Sequence, residues 1–165
     1  MQPAGHHLAE FNMGVLRYDW EDPRVKGFFD GLDLVNGIAQ RSSGFVWMLG
    51  DDDMGREQSD PGGALGGNPR TASTLSVWKD ASSLENFVWN TVHKQFYDRR
   101  AEWYDAVDHV RLVMWWVPVG HRPSVAEAMQ RLRLLEETGD SDEAFGWSGL
   151  RDASLWKTRQ CGEAA

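Results

Sequence analysis

The stretch VRLVMWWVPVGHRP, residues 110–123, has the composition of a strand but is apolar on both faces. Trp115 and Trp116 are adjacent, so a strand points them to opposite sides of its sheet. Helices of a small domain cover one of these sides, and the second needs a cover of its own. We expect that cover to be a second copy of the chain, because symmetric pairs are the commonest closed oligomers. The alternative is that the third helix and the tail of the same chain fold back over this face.

The residues before this stretch contain a second clear strand pattern. Apolar and polar residues alternate through HLAEFNMGVLRY, from His7 to Tyr18, which predicts a strand. One face carries Ala9, Phe11, Met13 and Val15, and the other carries Leu8, Glu10, Asn12, Gly14 and Leu16.

Capping signals and periodicity predict the remaining elements. A helix from Asp22 to Gly44 comes first, followed by a strand over 45–51, a long flexible loop over 51–70 and a strand over 71–80. One long helix then runs from a Ser82–Glu85 capping box to residue 107 and leads into the strand of the opening stretch. A third helix runs from a Ser124–Glu127 capping box to Gly139, and the tail after it has no clear period. This order predicts an α+β protein with the ferredoxin-like βαββαβ arrangement and an antiparallel sheet. We assign residues 1–145 to this domain and 146–165 to a C-terminal extension.

Composition narrows the class of partner. The formal net charge of −8 argues against nucleic acid and anionic membranes. No apolar run is long enough for a membrane span and the N-terminus lacks a signal-peptide core, so we expect a cytoplasmic protein. The single cysteine, Cys161, excludes an intramolecular disulfide, and no metal site is predicted. Nine tryptophans suit a core and a pocket for a hydrophobic small molecule.

Several segments resemble a bacterial family catalogued as domain of unknown function 3291. They are HLAEFNMG, GFVW, LSVWKDASSLENFVW, HKQFYDRRAEWY, GDSDEAF and, most specifically, WWVPVGHRPSVAEA. This family resembles a branch of the dimeric α/β-barrel superfamily, which includes antibiotic-biosynthesis monooxygenases, haem-degrading oxygenases, polyketide cyclases and stress-response proteins. The resemblance implies a homodimer but no single activity, because one fold supports many functions.

The candidate catalytic residues are His93, Asn12 and Arg100. His93 is predicted beside the apolar stripe of the long helix, where a histidine base suits proton transfer near neutral pH. Arg100 is a candidate for binding a carboxylate or an enolate, although Asp98 and Glu102 are close enough in sequence to neutralise it. Asn12 is a polar anchor. The candidate substrate-binding residues are Trp78, Trp89, Tyr97, Trp103, Trp116 and His121.

We therefore expect a small-molecule enzyme that acts on an aromatic or polycyclic substrate. The resemblance implies either cofactor-independent oxygenation or cyclisation or isomerisation by proton transfer. One alternative is haem binding through His93, because haem-degrading relatives surround haem with Asn, Trp and His in the order of Asn12, Trp78 and His93. Another is a non-catalytic ligand-binding or stress protein. We expect no cofactor unless haem is bound.

Overall fold

The computed structural model describes residues 1–105 and 111–150. Over these residues the chain forms an α+β fold of four strands and six helices, followed by a short 3-10 turn at Trp147–Gly149. The strands are β1 His6–Val15, β2 Phe45–Met48, β3 Thr71–Trp78 and β4 Arg111–Pro118. The helices are α1 Lys26–Arg41, α2 Asp51–Ser59, α3 Ala81–Asn90, α4 His93–Asp98, α5 Arg100–Trp103 and α6 Val125–Thr138.

The four strands form one antiparallel sheet in the order β2-β3-β1-β4. The register of β1 places Glu10 opposite Ser76 of β3 and Asn12 opposite Thr74. On β4, the partner of Asn12 is Leu112. Residues that are directly opposite share a face of the sheet, so polar side chains from two central strands meet on one side.

The face that carries Trp115 is covered by α6 of the same chain. Trp115 is almost fully buried in one apolar cluster with Val125, Met129 and Leu132 of that helix. The Trp115 indole also donates a hydrogen bond to Glu127 of α6, with a distance of 3.0 Å from Nε1 to Oε1. The third helix is therefore the cover of this face, and the apolar pattern of β4 no longer calls for a second copy. The homodimer stays a prediction without support from that pattern.

The opposite face is covered by α1, α3 and α4, and the long predicted helix is broken there. Thr91 leaves the helical conformation, with φ −119° and ψ −176°. Its hydroxyl donates to the Phe87 carbonyl at 2.6 Å and accepts from the His93 amide at 3.2 Å. Side chains of this kind compete with the backbone bonds of a helix. The prediction of one continuous helix is wrong, and His93 begins a new helix.

Two helix starts also differ from prediction. Helix α1 begins at Lys26 rather than after Asp22, whose carboxylate accepts from the Arg24 amide in a local turn. Helix α3 is capped by Asp80, which accepts from the Ser83 amide at 2.8 Å, and not by Ser82. By contrast, the predicted end of α6 is confirmed at Gly139, whose φ of +74° suits glycine.

The segment predicted as a flexible loop, residues 51–70, contains α2. Three aspartates, Asp51, Asp52 and Asp53, occupy its first turn, where negative charge favours the helix dipole. Met54 and Leu65 of this segment are buried in the cluster beneath α6. The segment is thus packed against the domain, and the prediction of a long flexible loop is wrong where α2 forms.

The first residues of the predicted extension pack onto the domain. Phe145, the last residue assigned to the domain, exchanges two backbone hydrogen bonds with Met114 at the edge of β4, and Leu150 of the extension is buried in the cluster beneath α3. The rest of the extension, with Cys161, and the first residue of the quoted stretch, Val110, lie outside the described residues.

Candidate functional site

A cavity of about 420 Å³ lies between the sheet and helices α1, α3 and α4. Its floor is the face of β1 and β3 that carries Glu10, Asn12 and Ser76, and most of the side chains around it are apolar. This volume lies within the range of roughly 300–1,000 Å³ that is typical of small-molecule sites. The three candidate catalytic residues, Asn12, His93 and Arg100, all line this one cavity.

Glu10 is the central polar group of the floor. Only 5% of its surface is exposed. One carboxyl oxygen accepts from the Asn12 amide at 2.7 Å and the other from the Ser76 hydroxyl at 3.0 Å. The Trp78 indole donates in turn to the Ser76 hydroxyl at 3.0 Å, and Asn12 also donates to Thr74 at 2.7 Å. Strand geometry therefore fixes the carboxyl group through partners that are themselves held in place.

The surroundings of Glu10 shift its proton equilibrium. Burial raises the pKa of Glu10 from 4.5 to about 7, and the hydrogen bonds from Asn12 and Ser76 partly oppose this rise because they stabilise the charged form. Near neutral pH the group is therefore present both as acid and as base, the condition in which a carboxyl group exchanges protons most effectively.

His93 lines the helix side of the cavity and is half-buried. Its ring packs on Phe87, with 4.9 Å between ring centres, and its Nδ1 lies 3.3 Å from the Val88 carbonyl oxygen. Because a carbonyl oxygen only accepts, Nδ1 carries the proton and Nε2 is the acceptor of the neutral ring. Burial lowers the pKa of His93, and the bond to Val88 opposes that effect. His93 is therefore neutral at pH 7.

Arg100 brings a positive charge to the cavity. Its Nη1 donates to the Tyr97 carbonyl at 2.8 Å, and its guanidinium lies 4.0 Å from the centre of the Tyr97 ring. The acids that were expected to neutralise it bind other residues, since Asp98 pairs with Lys94 and Glu102 with Arg99.

Of the six predicted substrate-binding residues, three line the cavity and three do not. Trp78, Tyr97 and Trp103 are wall residues. Trp116 packs on Phe145, with 5.7 Å between ring centres, and Trp89 packs on Tyr97 at 5.0 Å from outside the cavity. His121 binds Glu127 at 2.9 Å on the face covered by α6. His121 thus lies in the turn before α6, outside the cavity lining.

Part of the cavity lining, on α1 and α2, is exposed. Phe29 and Asp33 of α1 and Asp51 of α2 line the cavity and are exposed. The Asn36 amide of α1 donates to Asp51 of α2 at 3.1 Å and joins the two helices. These exposed lining residues are apolar or acidic.

Sequence reasoning did not assign a role to Glu10 or Trp147, which both line the cavity. The signal for Glu10 was present, because it lies between Leu8 and Asn12 on the strand face that carries the candidate polar anchor Asn12. A carboxyl group in the middle of a covered strand is uncommon and needs an explanation. Trp147 carried no such signal, because it belongs to the extension that was assigned apart from the domain.

The comparisons with known proteins give a family but no activity. The family described as domain of unknown function 3291 matches residues 7–161. The chain belongs to this family. No curated protein matches the chain. Among solved structures, the family member described here is similar to the NE2512 protein of unknown function from Nitrosomonas europaea, at 12% identity over 74% of this chain and 97% of that chain, with a TM-score of 0.44.

None of the helices in the described residues is long and apolar enough to cross a membrane. In the same residues, His, Cys, Asp and Glu side chains form no group of three or more that suits a metal ion.

Proposed function

We propose that the protein is an enzyme that moves a proton on a hydrophobic, aromatic small molecule bound between its sheet and its helices. The observation that carries this proposal is the carboxyl group of Glu10, which is buried in the floor of an otherwise largely apolar cavity and oriented by Asn12 and Ser76. A buried, oriented and titratable group in a cleft is typical of a catalytic site.

In the proposed reaction, the Glu10 carboxylate takes a proton from an acidic C–H or O–H group of the substrate. The electron pair that is released stays in the aromatic system of the substrate. Asn12 and Ser76 hold the carboxylate in place, and the apolar walls exclude water that would otherwise weaken it as a base. Cofactor-independent oxygenation of a phenol-like substrate and proton-transfer cyclisation or isomerisation both begin with this step.

His93 is a second proton-transfer group in this proposal. It is neutral near pH 7 and lies across the cavity from the sheet, so it accepts or relays a proton on the helix side of the substrate. Glu10 replaces His93 as the first base because strand partners fix its carboxyl group, whereas His93 begins the short helix α4.

The test uses nitrobenzisoxazole, a flat aromatic compound whose ring opens when a base removes one proton and which releases a coloured phenolate. Wild-type protein should open the ring with a rate that rises with pH through about 7, as Glu10 loses its proton. Glu10→Gln should lower the rate at least about 100-fold, the low end for a general base.

The matched control is Glu127→Gln, the same substitution on the opposite face of the sheet, where Glu127 binds Trp115 and His121. It should leave the rate unchanged. Equal rates for wild type and Glu10→Gln would contradict the proposal. Binding of the compound without ring opening would favour the non-catalytic ligand-binding alternative.

Haem binding is the second candidate function, and one observation favours it. The contact of His93 Nδ1 with the Val88 carbonyl leaves Nε2 as the free ring nitrogen, the arrangement that ligand histidines commonly adopt. A haem ligand at His93 would give purified, haem-supplemented protein a Soret band that His93→Ala removes.

The finer fold assignment is also a proposal. We propose a ferredoxin-like domain of the dimeric α/β-barrel type, supported by the strand order β2-β3-β1-β4 and by helices between β1 and β2 and between β3 and β4. Because α6 covers the face of Trp115, a homodimer would have to use another surface. Light scattering that gave twice the chain mass of 18.7 kDa would support the dimer.

A further inference from the structure

Arg100 is the one lysine or arginine among the described residues that line the cavity. Cationic neighbours in sequence are already paired, Arg99 with Glu102 at 2.8 Å and Lys94 with Asp98 at 2.5 Å. For Arg100, the hydrogen bonds and ion pairs of the described residues include no acidic partner, and its guanidinium hydrogen-bonds to the carbonyl of Tyr97 and stacks on its ring. A cation without a counter-charge at a ligand cavity is suited to a negatively charged ligand.

Arg100 shares the cavity with acidic groups. Glu10 lies in the floor, and Asp33 and Asp51 are exposed side chains of the lining. Tyr97, on which Arg100 stacks, packs in the apolar cluster that also contains Trp78 and Leu112. Among the described residues that line the cavity, Arg100 therefore faces a set of charged groups that are otherwise acidic.

We infer that the substrate is an aromatic carboxylate whose carboxylate group binds Arg100 and whose ring lies over Glu10. The role of Glu10 in this statement rests on the proposed function, but the binding of the carboxylate does not. Stacking on Tyr97 and the bond to its carbonyl fix the plane of the guanidinium and leave other N–H groups for a ligand. Arg100 also offsets the charge of a ligand that would otherwise share the cavity with Glu10, Asp33 and Asp51.

The experiment compares two probes of nearly equal size, naphthoate and its neutral amide, naphthamide, by isothermal titration calorimetry. Wild-type protein should bind naphthoate at least about ten-fold more tightly, because a hydrogen-bonded charge pair in a partly buried site contributes about that much. Arg100→Gln should remove this preference and leave the affinity for naphthamide unchanged. Arg99→Gln is the matched control, since Arg99 is exposed and paired with Glu102, and it should keep the preference.

The wild-type comparison does not depend on any variant folding, and near-UV circular dichroism checks Arg100→Gln. Equal affinities of wild type for both probes, or a naphthoate preference that survives Arg100→Gln, would overturn the inference while leaving the proposed function in place. Failure of both probes to bind would overturn the inference and the cavity as a site for aromatic ligands. If Glu10→Gln opens the ring at the wild-type rate while the naphthoate preference is intact, the proposed function alone would be overturned.

Discussion

The two faces of the sheet are built from alternate residues of the same strands, yet one is a dry core and the other is the floor of a cavity. Beneath α6, apolar side chains such as Val113 and Trp115 fill the space between the layers. Beneath α1, α3 and α4, the rows of β1 and β3 carry Glu10, Asn12 and Ser76, and the helices above them leave room for a ligand. Because the side chains of a strand alternate between the two faces of its sheet, one set of residues packs the core and the other set forms the floor of the cavity.

The two faces also differ in the surroundings that each provides for a carboxyl group. Glu127 lies at the margin of the α6 face, where Trp115 and His121 bind both of its oxygens and its side chain is 27% exposed. Glu10 lies under the cavity with the donors Asn12 and Ser76, and burial raises its pKa to about 7. Hydrogen bonds alone therefore do not distinguish the two faces, and desolvation does.

The largest difference between the two faces is expected in the free energy of unfolding when one leucine on each face is replaced by alanine. Leu132→Ala removes a side chain that is 1% exposed in the dry core, and should lower the free energy of unfolding by about 2–5 kcal/mol. Leu112→Ala, on the cavity side, removes a half-buried side chain beside space that is already empty, and should cost only about 1 kcal/mol. Urea unfolding of both variants measures this, and equal losses would mean that the cavity is closed by packing in solution.

The next effect is the pH dependence of stability that Glu10 confers. The folded protein holds the Glu10 proton up to about pH 7, whereas the unfolded chain releases it near 4.5. The contribution of Glu10 is therefore fully present below pH 4.5 and is lost as the pH rises through 7, by about 3 kcal/mol in total at about 1.4 kcal/mol per pH unit.

Glu10→Gln removes this dependence because glutamine does not titrate. The difference in unfolding free energy between wild type and Glu10→Gln should shift by that amount in favour of the variant between these pH values. A difference that stays constant with pH would show that Glu10 is solvated in the folded protein.

A smaller effect concerns the helices that cover the cavity. A Cβ at Gly31 of α1 would overlap the ring of Phe96, so Gly31→Ala should cost about 1–3 kcal/mol through overpacking. Gly55 of α2 has open space around it, and Gly55→Ala should instead stabilise the protein by up to about 1 kcal/mol through helix propensity. Thermal unfolding of the two variants should move in opposite directions, and destabilisation by Gly55→Ala would argue against α2.

The sequence predicted the strands well because each has a clear alternation or apolar run, and it predicted the end of α6 from Gly139. It failed where a short-range signal competed with periodicity. Thr91 breaks a helix whose apolar spacing continues past it, and α2 forms from a polar, acidic segment without an apolar stripe. Both features depend on hydrogen bonds or packing that spacing does not encode.

The candidate site was predicted only in part, because spacing in the sequence does not encode which side chains meet in the fold. The predicted residues Asn12, His93 and Arg100 do line one cavity, but Trp116, within the opening stretch, and His121, near its end, lie elsewhere. Glu10 was placed on the correct strand face without a role, because its burial depends on helices that lie far away in the sequence.

The central claim is that Glu10 titrates near neutral pH in an apolar cavity, and the titration of its carboxyl group tests this most directly. Infrared difference spectra between wild type and Glu10→Gln, recorded across the pH range, isolate the carboxyl and carboxylate bands of this one residue. The account predicts a midpoint at about 7, where the protonated band gives way to the carboxylate band. A midpoint near the ordinary 4.5 would contradict it, because Glu10 would then be solvated and fully charged at neutral pH.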